Sequence, residues 1–151
     1  MSNINLGPQD AFLQLATVAV PPNGQNNLSG VLDLEAVGPF SDAKHLGLIA
    51  VTVPAMPELV SGTLTLQIQV AEASLTQSGI APAPTVPGAF ANANPSQIAT
   101  ITGAAGGYAG GVFYFFVPLD SNGNSYQYVQ FLQTATGPTA GEIVSYAWQD
   151  A

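Results

Sequence analysis

The 151-residue chain contains no cysteine. This excludes disulfide staples, thiolate nucleophiles and cysteine-ligated metal centres, and it leaves the redox compartment open. Positive charge is almost as scarce: Lys44 is the single cation against nine carboxylates, for a net charge of −8. Binding a nucleic-acid backbone takes a cluster of lysines and arginines to displace counterions, so nucleic acid is excluded as a partner. Anionic membrane surfaces are excluded on the same ground. The longest bulky apolar run is VFYFFV, residues 112–117, which is strand length and far short of a membrane helix. The first ten residues, MSNINLGPQD, have neither a basic region nor an apolar run, so no secretory signal is expected.

Charge of either sign is the larger deficit. Charged residues make up 7% of the chain, against about 25% in ordinary soluble domains. A folded chain of 15.4 kDa exposes roughly 7,000 Å². Ten ionised side chains on that area leave about one per 700 Å², where a typical domain of this length has one per roughly 190 Å². Two causes fit. Part of the surface is interface, where charged residues are depleted, or a neutral surface is hydrated by Gln, Asn, Ser and Thr. With 47% hydrophobic residues the chain has a core to bury and is not a disordered sequence.

What is present is strand-forming. Twelve prolines and sixteen glycines cut the chain into segments of seven to twelve residues rich in Val, Ile, Thr and aromatics. Eight segments read as strands: 11–20, 31–37, 46–53, 63–70, 96–103, 111–118, 125–136 and 141–149. In TLTLQIQV (63–70) the alternation is strict, with Leu64, Leu66, Ile68 and Val70 on one face and Thr63, Thr65, Gln67 and Gln69 on the other. LGLIAVTV (46–53) is nearly all apolar, which predicts cover on both faces. Residues 112–133 read as a long aromatic hairpin turning at Ser121, Asn122, Gly123 and Asn124. A short helix over 8–17, opened by Asp10, competes with the first strand. Between strands, residues 73–95 form a long irregular stretch rich in Pro, Ala and Asn. The expected fold is all-β, one domain over 1–151, as an eight-stranded antiparallel jelly-roll sandwich. An immunoglobulin-like sandwich is the alternative, without that fold's Cys–Trp–Cys core signature.

Catalytic constellations are thin. The single histidine, His45, sits beside Ser41 and Asp42, but neighbours along a loop do not make a triad. A lone histidine also offers a metal only one ligand. The carboxylates are scattered; Asp33 and Glu35 share a strand face, as two solvated carboxylates on a rim do. Asp120, Asn122 and Asn124 place oxygens at positions 1, 3 and 5 of a calcium-type loop. The loop's later requirements are missing, since Gly123 falls at position 4 and Phe131 stands where a glutamate is needed; turn chemistry accounts for these residues. GAAGGYAGG (103–111) lacks the Lys-Ser/Thr and helix start of a phosphate loop, and reads as a flexible connector or a close backbone approach. No enzyme activity and no cofactor are expected.

The aromatics remain. Phe113, Phe115 and Val117 fall on one face of their strand, and Tyr114 and Phe116 on the other. Tyr126, Tyr128, Tyr146 and Trp148 line neighbouring segments. One sandwich core cannot take aromatics from both faces of a strand, so some belong to an interface or a ligand platform. The interface candidates are Thr65, Gln67, Gln69, Tyr114, Phe116, Tyr126, Tyr128 and Trp148.

LTLQIQVAEAS, the later YQYVQFLQTATGPTAGEIVSYAWQD and the early VLDLEAVG (31–38) together resemble the small jelly-roll cement, or decoration, proteins of tailed-bacteriophage capsids. The likeness runs over about two-thirds of the chain. Gln127 and Gln130 stand where that family often has arginine, and the 73–95 stretch is longer. The resemblance implies a homotrimer on the outer surface of a phage head, made in the host cytoplasm, with the major capsid protein as its other partner. A trimer seated on a shell buries several faces of each subunit, which suits uncharged strands. From a different class, a carbohydrate-binding sandwich or tail-fibre tip would use Tyr126, Tyr128 and Trp148 as a sugar platform.

Overall fold

The computed structural model describes residues 14–33, 48–71, 90–117, 126 and 128–149. They form an all-β fold of two antiparallel sheets packed face to face. The strands in chain order are β1 (Gln14–Ala19), β2 (Asn26–Leu28), β3 (Leu32–Asp33), β4 (Leu48–Val53), β5 (Thr63–Ala71), β6 (Ala91–Thr102), β7 (Gly111–Phe116), β8 (Tyr128–Ala135) and β9 (Ile143–Trp148). One sheet has the order β1-β9-β4-β7 and the other β2-β8-β5-β6, with β3 also pairing β8.

β2 and β3 behave as one interrupted strand. Both run antiparallel to β8, with Asn26 opposite Thr134 and Leu32 opposite Val129. Ser29 bridges the gap. Its N–H donates to the Phe131 carbonyl (2.9 Å) and its Oγ accepts from the Phe131 N–H (2.9 Å). The hydroxyl thus takes the place of a backbone carbonyl where the chain leaves the ladder.

The core follows from period-2 alternation. β4 sends in Ile49, Val51 and Val53; β5 sends in Leu64, Leu66, Ile68 and Val70; β8 sends in Val129, Phe131 and Ala135; β9 sends in Val144, Tyr146 and Trp148. Phe131 joins the two sheets. It stacks on Tyr146 at 4.0 Å between ring centroids and 8° between planes, and meets the Phe115 edge at 6.3 Å and 88°. One polar pair enters this core: Gln133 Nε2 donates to Tyr146 Oη at 2.9 Å. Burial raises the Tyr146 phenol well above its ordinary pKa, so it stays neutral.

Several expectations are corrected here. The stretch 14–17 is strand, not helix; residues 8–13 lie outside the described residues. The irregular stretch ends sooner than 95, because β6 already begins at Ala91, where Asn92 pairs with Gln69 and Ala91 with Val70. The aromatic hairpin is absent. β7 pairs with β4 and β8 with β2, β3 and β5, so the chain crosses between sheets from β7 to β8. The physical reason is the core: Phe115 and Phe131 point at each other across the sandwich, which a flat hairpin forbids. β4 is covered on one face only. Ile49, Val51 and Val53 are buried, but Leu48 and Ala50 are half-buried and Thr52 is exposed.

At one end, the segments 20–25, 54–62, 103–110 and 136–142 close on one another. Met56 and Tyr108 exchange backbone hydrogen bonds of 2.8 and 2.9 Å. A Cβ at Gly107 would strike the Pro57 backbone, and one at Gly137 would strike the Ser61 carbonyl oxygen. The glycine-rich 103–111 segment is therefore a close backbone approach at Gly107, where φ is +79°.

Candidate interaction surface

The outward residues of the two sheets make two different surfaces. On the β1-β9-β4-β7 sheet, cross-strand register places Val112 beside Thr52, Tyr114 beside Ala50 and Phe116 beside Leu48. Ala50 in turn sits beside Ala147, and Thr52 beside Ser145. Thr17 faces Ser145 and Ala19 faces Ile143. The face is thus built of small and apolar side chains, with its bulk at the β7 edge. Phe116 is 64% exposed, Tyr114 58%, Ile143 51% and Val112 47%. Isolated exposed apolar residues are ordinary, but a row of three on one edge strand is not. β7 pairs only with β4 among the described strands.

On the other sheet the outward residues are mostly amides and hydroxyls, with Leu28 beside Leu132 at the β2 edge. Gln130 Nε2 donates to Gln69 Oε1 at 2.7 Å, and Gln69 Nε2 donates to Asn92 Oδ1 at 3.2 Å, a relay across β8, β5 and β6. Gln67 Nε2 reaches Ser96 Oγ at 3.5 Å. Thr65 is half-buried between Thr134 and Thr100 on the neighbouring strands. At the end of the row the Thr63 hydroxyl meets that of Thr136 at 3.0 Å. Side chains on this face satisfy one another within the chain.

The eight interface candidates therefore divide. Tyr114 and Phe116 stand exposed on the apolar face, and Thr65, Gln67 and Gln69 lie on the amide face. Tyr126 is half-buried and packs against the core. Tyr128 and Trp148 are each only 4% exposed, so neither presents a ring to solvent. Trp148 follows Val144 and Tyr146 at alternate positions of β9, which places all three inward. The bulky set 144, 146, 148 against Ile143, Ser145 and Ala147 carries that signal in the sequence. The calcium candidates Asp120, Asn122 and Asn124 lie outside the described residues, as do Ser41, Asp42, Lys44 and His45. Among the described residues no group of three or more metal-ligating side chains comes together.

Sequence reading did not find the groove between β1 and the β2–β3 strand. It has a volume of about 300 Å³ and is walled by Ala16–Ala19 of β1 and by residues 27–32 opposite. Asn27 Nδ2 donates to the Ala19 carbonyl at 2.8 Å across it. Leu28 and Val31, about half exposed, stand on its outer wall. Among the described residues that line it, none is ionisable.

The carboxylates whose side chains are described, Glu58 and Glu142, sit together at the loop end, away from both sheet faces. Both accept from the Ala140 N–H at 3.1 Å. A hydrogen bond from Glu142 holds the Glu58 pKa below its ordinary value, while burial and that same bond push Glu142 above it. The two carboxyls are therefore coupled, with ionisation favoured at Glu58 and the protonated form at Glu142.

The sequence matches no known protein family, and no characterised protein is similar enough to it to count as a relative.

Proposed function

We propose that the chain is a structural virion protein. It acts as a decoration protein that trimerises on the outside of a phage head and stabilises contacts between major capsid proteins. The observation that carries this reading is the outer face of the β1-β9-β4-β7 sheet: among the described residues it is apolar at β7 and uncharged, and Val112, Tyr114 and Phe116 stand exposed. An apolar run such as 46–53 is the composition of a strand covered on both sides. The fold supplies one cover, and assembly would supply the other. The strand order also fits a double-sheet jelly roll once β2 and β3 are counted as one strand. With the resemblance in the 64–74 and 126–150 segments, this favours cement function over catalysis.

The sugar-binding alternative loses most of its platform. Two of its three aromatics, Tyr128 and Trp148, are buried, and Tyr126 packs on the core.

The test is assembly. In sedimentation and light scattering, the purified chain should run at three times the 15.4 kDa monomer mass. It should also co-sediment with phage heads assembled without a decoration protein. A monomer that ignores such heads and binds glycans on an array would replace this reading with the sugar-binding one.

A further inference from the structure

We infer that the copies meet head to tail. Tyr114 and Phe116 on the β7 edge of one copy seat in the groove between β1 and β2–β3 of the next. This rests on the homotrimer reading and names the surfaces that make it.

The first argument is charge. Each copy carries −8, so two copies repel, and Lys44 is the only cation either could offer to the other's carboxylates. A contact between copies must then be free of carboxylates and driven by apolar burial. Among the described residues, neither the β7 edge nor the groove carries a carboxylate or a cation. The amide face is also uncharged among its described side chains, but its Gln130–Gln69–Asn92 relay already engages part of its donors and acceptors inside the chain. It has less to gain from a partner.

The second argument is topology. β7 and β1 are the two opposite edges of one sheet, and each has a free side among the described strands. A knob on one edge and a recess beside the other make a heterologous pair, and a heterologous contact with the right rotation closes into a ring. A face-to-face contact of the same patch would give a two-fold dimer instead.

The third argument is area. Tyr114 and Phe116 each expose on the order of 100–150 Å². With Val112 they make a knob of roughly 300–350 Å², less than half the roughly 800 Å² per partner of a standard interface, so a single junction is weak and the ring depends on closure. Each copy in a ring makes two such junctions. Aromatic anchors entering a recess are also the usual form of an interface hot spot.

The absence of native cysteine makes the test clean. Tyr114→Cys and Val31→Cys are made in separate full-length chains, mixed, and joined with a short bis-maleimide. Cross-linking between unlike chains, with little between like chains, is the expected result. A single chain carrying both substitutions should give a closed covalent trimer under denaturing conditions. In parallel, Tyr114→Ser with Phe116→Ser should weaken the trimer at least roughly tenfold, by sedimentation, with circular dichroism unchanged. Three results would overturn the inference: cross-linking of Tyr114→Cys to itself, a trimer with no Val31–Tyr114 product, or a wild-type chain that stays monomeric. Head binding separates the two proposals. Uptake by undecorated heads without the unlike cross-link leaves the decoration reading standing, whereas the cross-link without uptake leaves the ring and removes the capsid.

Discussion

The two outer faces of this sandwich are equally free of charge among their described side chains, yet they resolve the same condition in opposite ways. On the β8-β5-β6 face, polar side chains pair with each other: Gln130 with Gln69, Gln69 with Asn92, Gln67 with Ser96. On the β9-β4-β7 face the polar side chains are few and small, such as Thr52 and Ser145, and Val112, Tyr114, Phe116 and Ile143 remain in contact with solvent. One face is closed by internal hydrogen bonds and the other is left open. A shortage of charge therefore does not by itself mark an interface. What distinguishes the two is whether the uncharged groups find partners inside the chain.

Both faces hang from one core, so the largest effect should come from the residue that joins the sheets. Phe131 is fully buried, stacked on Tyr146 and edge-on to Phe115. Phe131→Ala should cost about 3–5 kcal/mol, a large share of a typical domain's stability of about 5–15 kcal/mol. Urea unfolding should show the midpoint collapsing, and both faces should be lost together. If assembly survived unchanged in that variant, the apolar face would not need the sandwich beneath it.

A smaller, paired prediction separates the faces directly. Gln69→Ala removes the middle of the amide relay and leaves Gln130 and Asn92 each without a side-chain partner. It should cost about 0.5–1.5 kcal/mol of stability and leave the mass in solution unchanged. Tyr114→Ser does the reverse. It removes an exposed ring, should change monomer stability by less than about 0.5 kcal/mol, and should weaken self-association. Chemical denaturation and sedimentation on the two variants would check both halves. Equal effects of the two substitutions on assembly would erase the distinction.

How much of this could be read from the sequence depended on range. β5 announced itself through strict alternation, and the inward set Leu64, Leu66, Ile68 and Val70 is buried as the pattern requires. Tyr114 and Phe116 were legible for the same reason, because parity along β7 is a local property. β2 was not, since Asn26–Leu28 has no alternation to show and is held by pairing to Gln133 and its neighbours over a hundred residues away. The start of β6 was hidden likewise: an Ala-Asn stretch becomes strand only because Gln69 and Val70 are there to pair with it. The aromatic hairpin failed because a Ser-Asn-Gly-Asn segment specifies that the chain can turn, not which sheet it enters afterwards. That choice belongs to Phe115 and Phe131 meeting across the core. The groove is made by two edges from different sheets, and no local pattern encodes such a neighbour.

The smallest effect should lie off both faces, at the Glu58–Glu142 pair, where it tests whether the loop end titrates apart from them. Glu142 has a folded-state pKa raised above 4.5, so its contribution to stability is full below that value and is lost as pH rises through the raised pKa. Glu58 is lowered, so its contribution is present above 4.5 and is lost as pH falls through the lowered value. Glu142→Gln keeps a neutral donor facing Glu58 at every pH. Near pH 4 it should match the wild type, where Glu142 is already protonated. At pH 7 it should exceed the wild type by about a degree in Tm, because it alone avoids two adjacent carboxylates that solvent largely screens. Its mass in solution should equal the wild type's at both pH values, since neither carboxylate stands on the surfaces assigned to assembly. A Glu142→Gln chain that changed its association with pH as strongly as its Tm would mean that the loop end reaches the contact between copies. The division between a closed amide face and an open apolar one would then be incomplete.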